Sequence, residues 1–305
     1  VPYYIALARN FLVTPAGVVQ QSDDRTNILI LGRSGVGEDS PDLTDTIILA
    51  SISPINKKIT MISIPRDIWI DSMKAKINTA FYYGKQKGGT LGSGITLSKS
   101  TVEEILGVPV HYAIIVDFSG FKDIVNDLGG VDVTIDRSFV DKLYPLPGHE
   151  ADLCNGDKTL SCRYQTVEFM AGLAHMDGET ALKFVRSRHA EGDEGTDLAR
   201  SARQQKVIKG IIAKAFTPQI FLNLNKIKAI ITDANKSIET DMKPSEVAII
   251  GRFILDLRNN LNPQVIPIDL LYNPPLSMSY QNQYIFLPKK GNWSDVQAWV
   301  KNNLP

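Results

Sequence analysis

NILILGRSGVGEDSPDLTDTIILASISPINKKITMISI (residues 27–64) holds three short runs of branched apolar residues. Asn27–Gly32 is a buried strand closed by a glycine. Thr46–Ile52 and Ile59–Ile64 are two more, joined by SPINKK, a connection whose Pro and Asn suit a hairpin. Continuing along the chain, the pattern predicts a short helix over Ser98–Leu106 and a strand over His111–Phe118. A helix over Ser119–Leu128 follows, stopped by Gly129 and Gly130, and then a strand over Val131–Ile135. Residues 136–170 read as a long loop. Asp177 is placed to cap a helix running to Arg188, and Asp197 begins another reaching Phe216. Further helices are expected near 219–232 and 245–258, late strands at Val265–Ile268 and Tyr284–Leu287, and a final helix capped by Ser294. Strands alternating with helices make an α/β fold, a layered α-β-α sandwich. The hairpin near residue 55 makes its central sheet mixed.

The chain has 305 residues, 33 Lys plus Arg and 33 Asp plus Glu, so its formal charge is zero. That balance argues against a generally basic nucleic-acid binder. With 43% hydrophobic and 22% charged residues the chain is globular.

The loop GRSGVGED (32–39) follows a strand as a P-loop does, but Glu38 and Asp39 stand where Lys and Ser or Thr must reach phosphate and magnesium. Pro41 comes next, then a strand, so no helix N-terminus faces the loop and an NTPase is excluded. The same loop packs Glu38, Asp39, Asp42 and Asp45 within eight positions. Such carboxylates are either solvated or neutralised, and magnesium is one neutraliser because it prefers oxygen ligands and often arrives with phosphate. Asp45 stands apart, fixed at the mouth of a buried strand.

A second cluster is basic: Arg66 in SIPRD, Arg186 and Arg188 in KFVRSRH, Arg200 and Arg203 in LARSARQQ. Val207, Ile208, Ile211, Ile212 and Ala215 mark the apolar face of the helix from Asp197. Traced back, that face meets Gln204, Arg203 and Arg200 in the first turns, where free N–H groups and guanidinium forks form an anion site. Arg66 ends a strand, where α/β sheets place ligands. Singly, each arginine reads as a solvated surface group. Together they point to a diphosphate completed by magnesium on Asp45, the equipment of phosphoryl transfer. Asp67 is either a base or an Arg-paired structural carboxylate.

Cys154 and Cys162, eight positions apart in GHEADLCNGDKTLSCRYQT, are expected as a disulfide, with two free thiols as the alternative. A disulfide implies an oxidising compartment. No run reaches the length of a membrane span. The opening VPYYIALARNFLV reads either as the foot of an anchor helix or as an ordinary amphipathic helix.

In this order the segments resemble the LytR–CpsA–Psr family of cell-wall phosphotransferases. They are NILILG, LTDTIILASI, KKITMISIPRD, KINTAFYYG, VDFSGFKDIVNDLGGVDVTI, GLAHMDGETALKFVRSRH and DLARSARQQKVI. The resemblance covers about Asn27–Phe216. It implies an enzyme on the extracytoplasmic face of the membrane, tethered by an N-terminal helix. That enzyme would use magnesium to move a glycopolymer phosphate from a polyprenyl diphosphate carrier to peptidoglycan or another wall acceptor. A polyprenyl diphosphate hydrolase and a non-catalytic prenyl-phosphate-binding protein are the alternatives. By motif, Asp45 resembles a magnesium-associated carboxylate. Arg66, Arg186, Arg188, Arg200 and Gln204 resemble the diphosphate set, with Lys76 adding charge. Arg33 and Ser34 stand where many members carry an Asp, and Leu43 where many carry an Arg, so Asp39 or Asp42 is expected to supply the missing metal carboxylate. The chain is expected to comprise an N-terminal segment (1–26), a catalytic core (27–216) and a C-terminal part (217–305) packed on or completing the same domain.

Overall fold

The structure is a computed structural model and describes residues 9–11, 13, 15–35, 40–149 and 151–304. Most of the expected anchor foot, and Glu38 and Asp39 of the acidic loop, lie outside the described residues. The chain forms two compact units, one from residues 1–117 and 237–305, the other from 118–236. The divisions between these units fall at 117/118 and 236/237, and residues 237–305 belong to the same unit as the N-terminal strands.

The first unit is built on a six-stranded mixed sheet. Its strands are β1 (Thr26–Arg33), β2 (Thr44–Ser53), β3 (Lys58–Ser63), β6 (Tyr112–Asp117), β11 (Ile238–Thr240) and β12 (Leu261–Val265). Two-residue pairs account for β4 (Trp69–Ile70) with β5 (Ala75–Lys76), and for β13 (Leu271–Tyr272) with β14 (Leu287–Pro288). The sheet order is β11-β6-β1-β2-β3-β12. β1–β2 and β2–β3 are antiparallel, as the expected hairpin requires, whereas β1–β6 and β3–β12 are parallel. Leu29, Leu49, Ile62 and Ile115 pack with Phe81, Ile95, Val102 and Ile105 of the Ala80–Gly88 and Leu91–Leu106 helices and with Val296 and Val300 of the Ser294–Asn303 helix. The alternate residues Ile28, Ile48, Ile52 and Met61 are equally buried, so both faces of the sheet are covered. The Pro244–Leu257 helix packs against β3. Two-sided burial is why these strands read as continuous apolar runs.

The second unit pairs β7 (Val131–Ile135) with β10 (Gly172–Met176) and β8 (Phe139–Pro145) with β9 (Tyr164–Phe169), both antiparallel. Its main helices are Phe118–Asp127, Gly178–Arg186 and Asp197–Ala215. Val125, Val131, Val133, Phe139, Phe169, Phe184 and Val207 form its core. Gly178 is required where two helices meet, since a Cβ there would lie 2.3 Å from the Lys122 carbonyl oxygen.

The expected loop over 136–170 is corrected: it contains β8 and β9. Their apolar positions are few and spaced by charges, but Phe139 faces Phe169 across the ladder with ring centroids 5.1 Å apart, and such cross-strand pairs fix a register. The late strand lies at Leu261–Val265 rather than Val265–Ile268. It carries Pro263 and is an edge strand, the place where a proline is tolerated. The expected strand over Tyr284–Leu287 shrinks to Leu287–Pro288.

Candidate functional site

In the first unit, Asp45 is the second residue of β2 and Arg66 lies three residues past the end of β3. Neighbouring strands thus bring together groups 21 positions apart in the chain. Arg66 Nη1 donates to Asp45 Oδ1 at 2.5 Å, and its Nε lies 3.5 Å from Asp67 Oδ2. Lys76 Nζ, on β5, donates to Asp67 Oδ1 at 2.7 Å. The result is an alternating row of acid, base, acid and base. Asp67 is buried between two cations, which fits an Arg-paired structural carboxylate. Asp45 keeps 42% of its side chain exposed, and among the described residues its Oδ2 has no hydrogen-bond partner.

Asp42, expected beside Asp45 as a metal ligand, is engaged otherwise. Its Oδ1 accepts from Arg33 Nη1 at 2.7 Å and from Lys85 Nζ at 3.0 Å, and its Oδ2 accepts from Lys85 at 2.8 Å. Arg33 also donates to Glu239 at 2.7 Å and lies over the Phe81 ring. The β1–β2 register shifts between Gly32 and Arg33, where the bulge re-aims the strand end. The arginine that stands in place of an expected carboxylate thereby neutralises the carboxylate meant to replace it.

In the second unit, Arg186 ends its helix with its guanidinium 4.1 Å from the Phe118 ring centroid and 5.8 Å from that of Tyr144. Arg188, two residues on, is exposed. Among the described residues no carboxylate pairs with either. A cation held on aromatic faces, with its charge uncompensated, is poised to accept an anion. Arg200 is buried and pairs with Asp197 at 2.9 Å, and Gln204 is buried beside it on the same helix.

Arg203 is a correction to the expected diphosphate set. Its Nε donates to the Phe184 carbonyl at 3.0 Å, Nη2 to the Ser187 carbonyl at 2.5 Å, and Nη1 to the carbonyl and carboxylate of Glu194, both at 2.9 Å. Every nitrogen of the guanidinium is engaged inside the protein. The reason is local: the Gly178–Arg186 helix leaves carbonyls without intrahelical partners at its C-terminus, and Arg203 satisfies them. The helix begins at Asp197, as expected, and Thr196 caps it, accepting from Ala199 N at 3.2 Å.

Cys154 and Cys162 are disulfide-bonded, as expected. With Asp152 they are the one cluster of three potential metal ligands among the described residues, and the disulfide removes both thiolates from that role.

Sequence reasoning did not find Phe118, Tyr144 or Asp141. Asp141 is fully buried and accepts four hydrogen bonds. Its signal was available: it shares the inward face of β8 with Phe139, at period two, where an acid is out of place without donors.

Comparisons with known proteins agree on one family. The model of the LytR_cpsA_psr family matches residues 8–302. The polyisoprenyl-teichoic acid–peptidoglycan teichoic acid transferase TagV of Bacillus subtilis (strain 168) is 28% identical over 267 residues, 86% of this chain and 60% of TagV. TagU of Bacillus cereus (strain AH820), which carries the same transferase name, is 30% identical over 247 residues, 80% of this chain and 69% of TagU. The chain thus spans about three fifths of the length of that TagV. The crystal structure of B. subtilis TagV superimposes with a TM-score of 0.64 at 25% identity, covering 93% of this chain and 98% of that one.

Proposed function

The chain belongs to the LytR_cpsA_psr family, and from that premise we propose that it moves a glycopolymer phosphate from a polyprenyl diphosphate carrier onto peptidoglycan or a related wall acceptor. The likeness to TagV and TagU supports the reaction class. The observation that carries the reading is Arg186, a cation stacked on Phe118 and Tyr144 and left without a carboxylate among the described residues.

In this reading an acceptor hydroxyl oxygen bonds to the phosphorus attached to the sugar. The bond from that phosphorus to the bridging oxygen breaks, polyprenyl phosphate leaves with the electron pair, and the hydroxyl proton passes to solvent. Arg186 and Arg188 hold the diphosphate and offset the charge that grows on the leaving oxygen. Arg66, Lys76, Arg200 and Gln204 complete the proposed ligand set. For Arg66 and Lys76 the donor competes with Asp45 and Asp67, so their charge is already partly committed.

Asp45 is the proposed magnesium ligand. Its partly exposed side chain, with Oδ2 unengaged among the described residues, suits an ion that takes one or two carboxylates, keeps several waters and shares substrate phosphates. When bound, the ion neutralises diphosphate charge. Asp42 is left out of this shell because both its oxygens are engaged, and Asp39 stays in the proposal on sequence alone. The place of action is the extracytoplasmic membrane face, with a membrane tether as part of the proposal. The disulfide supports an oxidising compartment. No helix of the described residues is long and apolar enough to cross a membrane.

The test is a transfer assay with a polyprenyl-diphosphate-linked glycan and a wall acceptor, with and without magnesium. Polymer on the acceptor supports transfer, and free phosphorylated glycan moves the assignment to a hydrolase. Bound lipid with neither product leaves a binding protein.

A further inference from the structure

Asp141 carries the strongest unassigned geometry in the second unit. It sits on β8, fully buried, and among the described residues no ion pair engages its carboxylate. Its Oδ2 accepts from Ser187 Oγ at 2.7 Å, Arg188 N at 3.0 Å and His189 N at 3.1 Å. Its Oδ1 accepts from Leu143 N at 2.9 Å. Three of the four donors belong to the segment that follows Arg186. Burying a carboxylate costs several kcal/mol unless donors replace its water, so a core carboxylate kept for this segment needs a reason.

The same segment is held from its other side. Arg203 takes the carbonyls of Phe184 and Ser187, while Asp141 takes the amides of Arg188 and His189. Between them the backbone around Arg186 is fixed through both its donors and its acceptors. Three residues along β8 from Asp141, Tyr144 lies 5.8 Å from the Arg186 guanidinium. One strand thus supplies both the anchor of the backbone and a wall for the side chain it presents.

We propose that Asp141 is a positioning residue: its buried carboxylate fixes the Ser187–His189 turn so that Arg186 and Arg188 face the diphosphate with their charges unspent. An asparagine cannot replace it. One of its two ends accepts, but its amide group would set a donor against the Leu143 N–H or against the Ser187–His189 donors. The inference rests on the reading of Arg186 and Arg188 as diphosphate ligands, and the experiment separates the two.

Wild type, Asp141→Asn, Arg186→Ala and the double variant are compared for folding by circular dichroism. Binding of geranylgeranyl diphosphate and amide hydrogen exchange at Arg188 and His189 are then measured. Asp141→Asn is expected to bind the probe about tenfold more weakly, with exchange at both amides accelerated at least about tenfold. The double variant is expected to bind more weakly than Arg186→Ala alone, but by less than the roughly tenfold loss of the single Asp141→Asn, because Asp141 acts partly through Arg186 and partly through Arg188. A folded Asp141→Asn with wild-type affinity, or losses that add in the double variant, overturns the proposal. If Asp141→Asn does not fold, Ser187→Ala, which removes one of the four bonds, should give a loss of about threefold in the same direction, and unchanged binding there overturns it. If wild type itself does not bind the probe, the diphosphate reading fails. The exchange rates then decide whether Asp141 fixes the turn, and unchanged exchange refutes that as well.

Discussion

Arg66 and Arg186 are the same residue type in opposite electrostatic states. Arg66 sits in a row of alternating charges with Asp45, Asp67 and Lys76, and the row neutralises itself. Arg186 is held by ring faces and a fixed backbone, and no carboxylate among the described residues takes its charge. Ion pairing orders a side chain by spending its charge. Stacking orders it while leaving the charge on offer. The first device suits a group whose main work is to hold the fold, the second a group whose work is to hold a ligand.

The largest expected effect follows from that contrast. Arg186→Ala should lower turnover by about a hundredfold or more while shifting the melting temperature by no more than about 2 °C. Comparable losses in turnover and stability would erase the distinction. Asp67→Ala should behave in the reverse way. It leaves Arg66 and Lys76 facing each other without their shared acid and should cost about 2–3 kcal/mol by urea unfolding. A neutral result would show that the row is not structural. Lysine substitution sharpens the comparison further. Arg66→Lys keeps a charge for Asp45 and should cost less than about 1 kcal/mol, whereas Arg186→Lys loses the planar stack and should weaken diphosphate binding about tenfold in a calorimetric titration.

The smallest effect concerns acid. Burial alone would raise the Asp141 carboxyl, but the hydrogen bonds from Ser187, His189, Leu143 and Arg188 outweigh it and hold the group below its ordinary value of 3.8. A carboxyl depressed in the folded state contributes stability that is complete above the unfolded value and fades as pH falls through the folded one. Exchange protection at Arg188 and His189 should therefore persist unchanged from pH 7 to about 4 and decline only below it. Loss of protection between pH 5 and 6 would contradict the assignment.

The sheet was legible because β1, β2 and β3 are buried on both faces, so their apolar runs stand out without neighbours. The arginines and Asp45 were legible because they sit at element ends. What sequence could not show was direction. Arg203 and Arg200 lie one helical turn apart in LARSARQQ, and nothing local says that Arg203 turns inward to the carbonyls of Phe184 and Ser187. Asp42 looked as free as Asp45 until tertiary structure placed Arg33 and Lys85 against it. β8 and β9 were missed because their pairing is long-range and rests on Phe139 and Phe169, two aromatics that no local period connects.

The order of the six-stranded sheet has a consequence in time. Both of its outer strands, β11 and β12, come from beyond residue 237, while the four inner strands are complete by Asp117. As the chain emerges from its N-terminus, β6 and β3 present open hydrogen-bonding edges through the whole synthesis of the second unit. Open edges of this kind recruit other chains. The last strands to be made are therefore the ones that render the earlier ones safe. A nascent chain halted before Ile238 should be captured by chaperones or aggregate, although most of the sheet is already written in it.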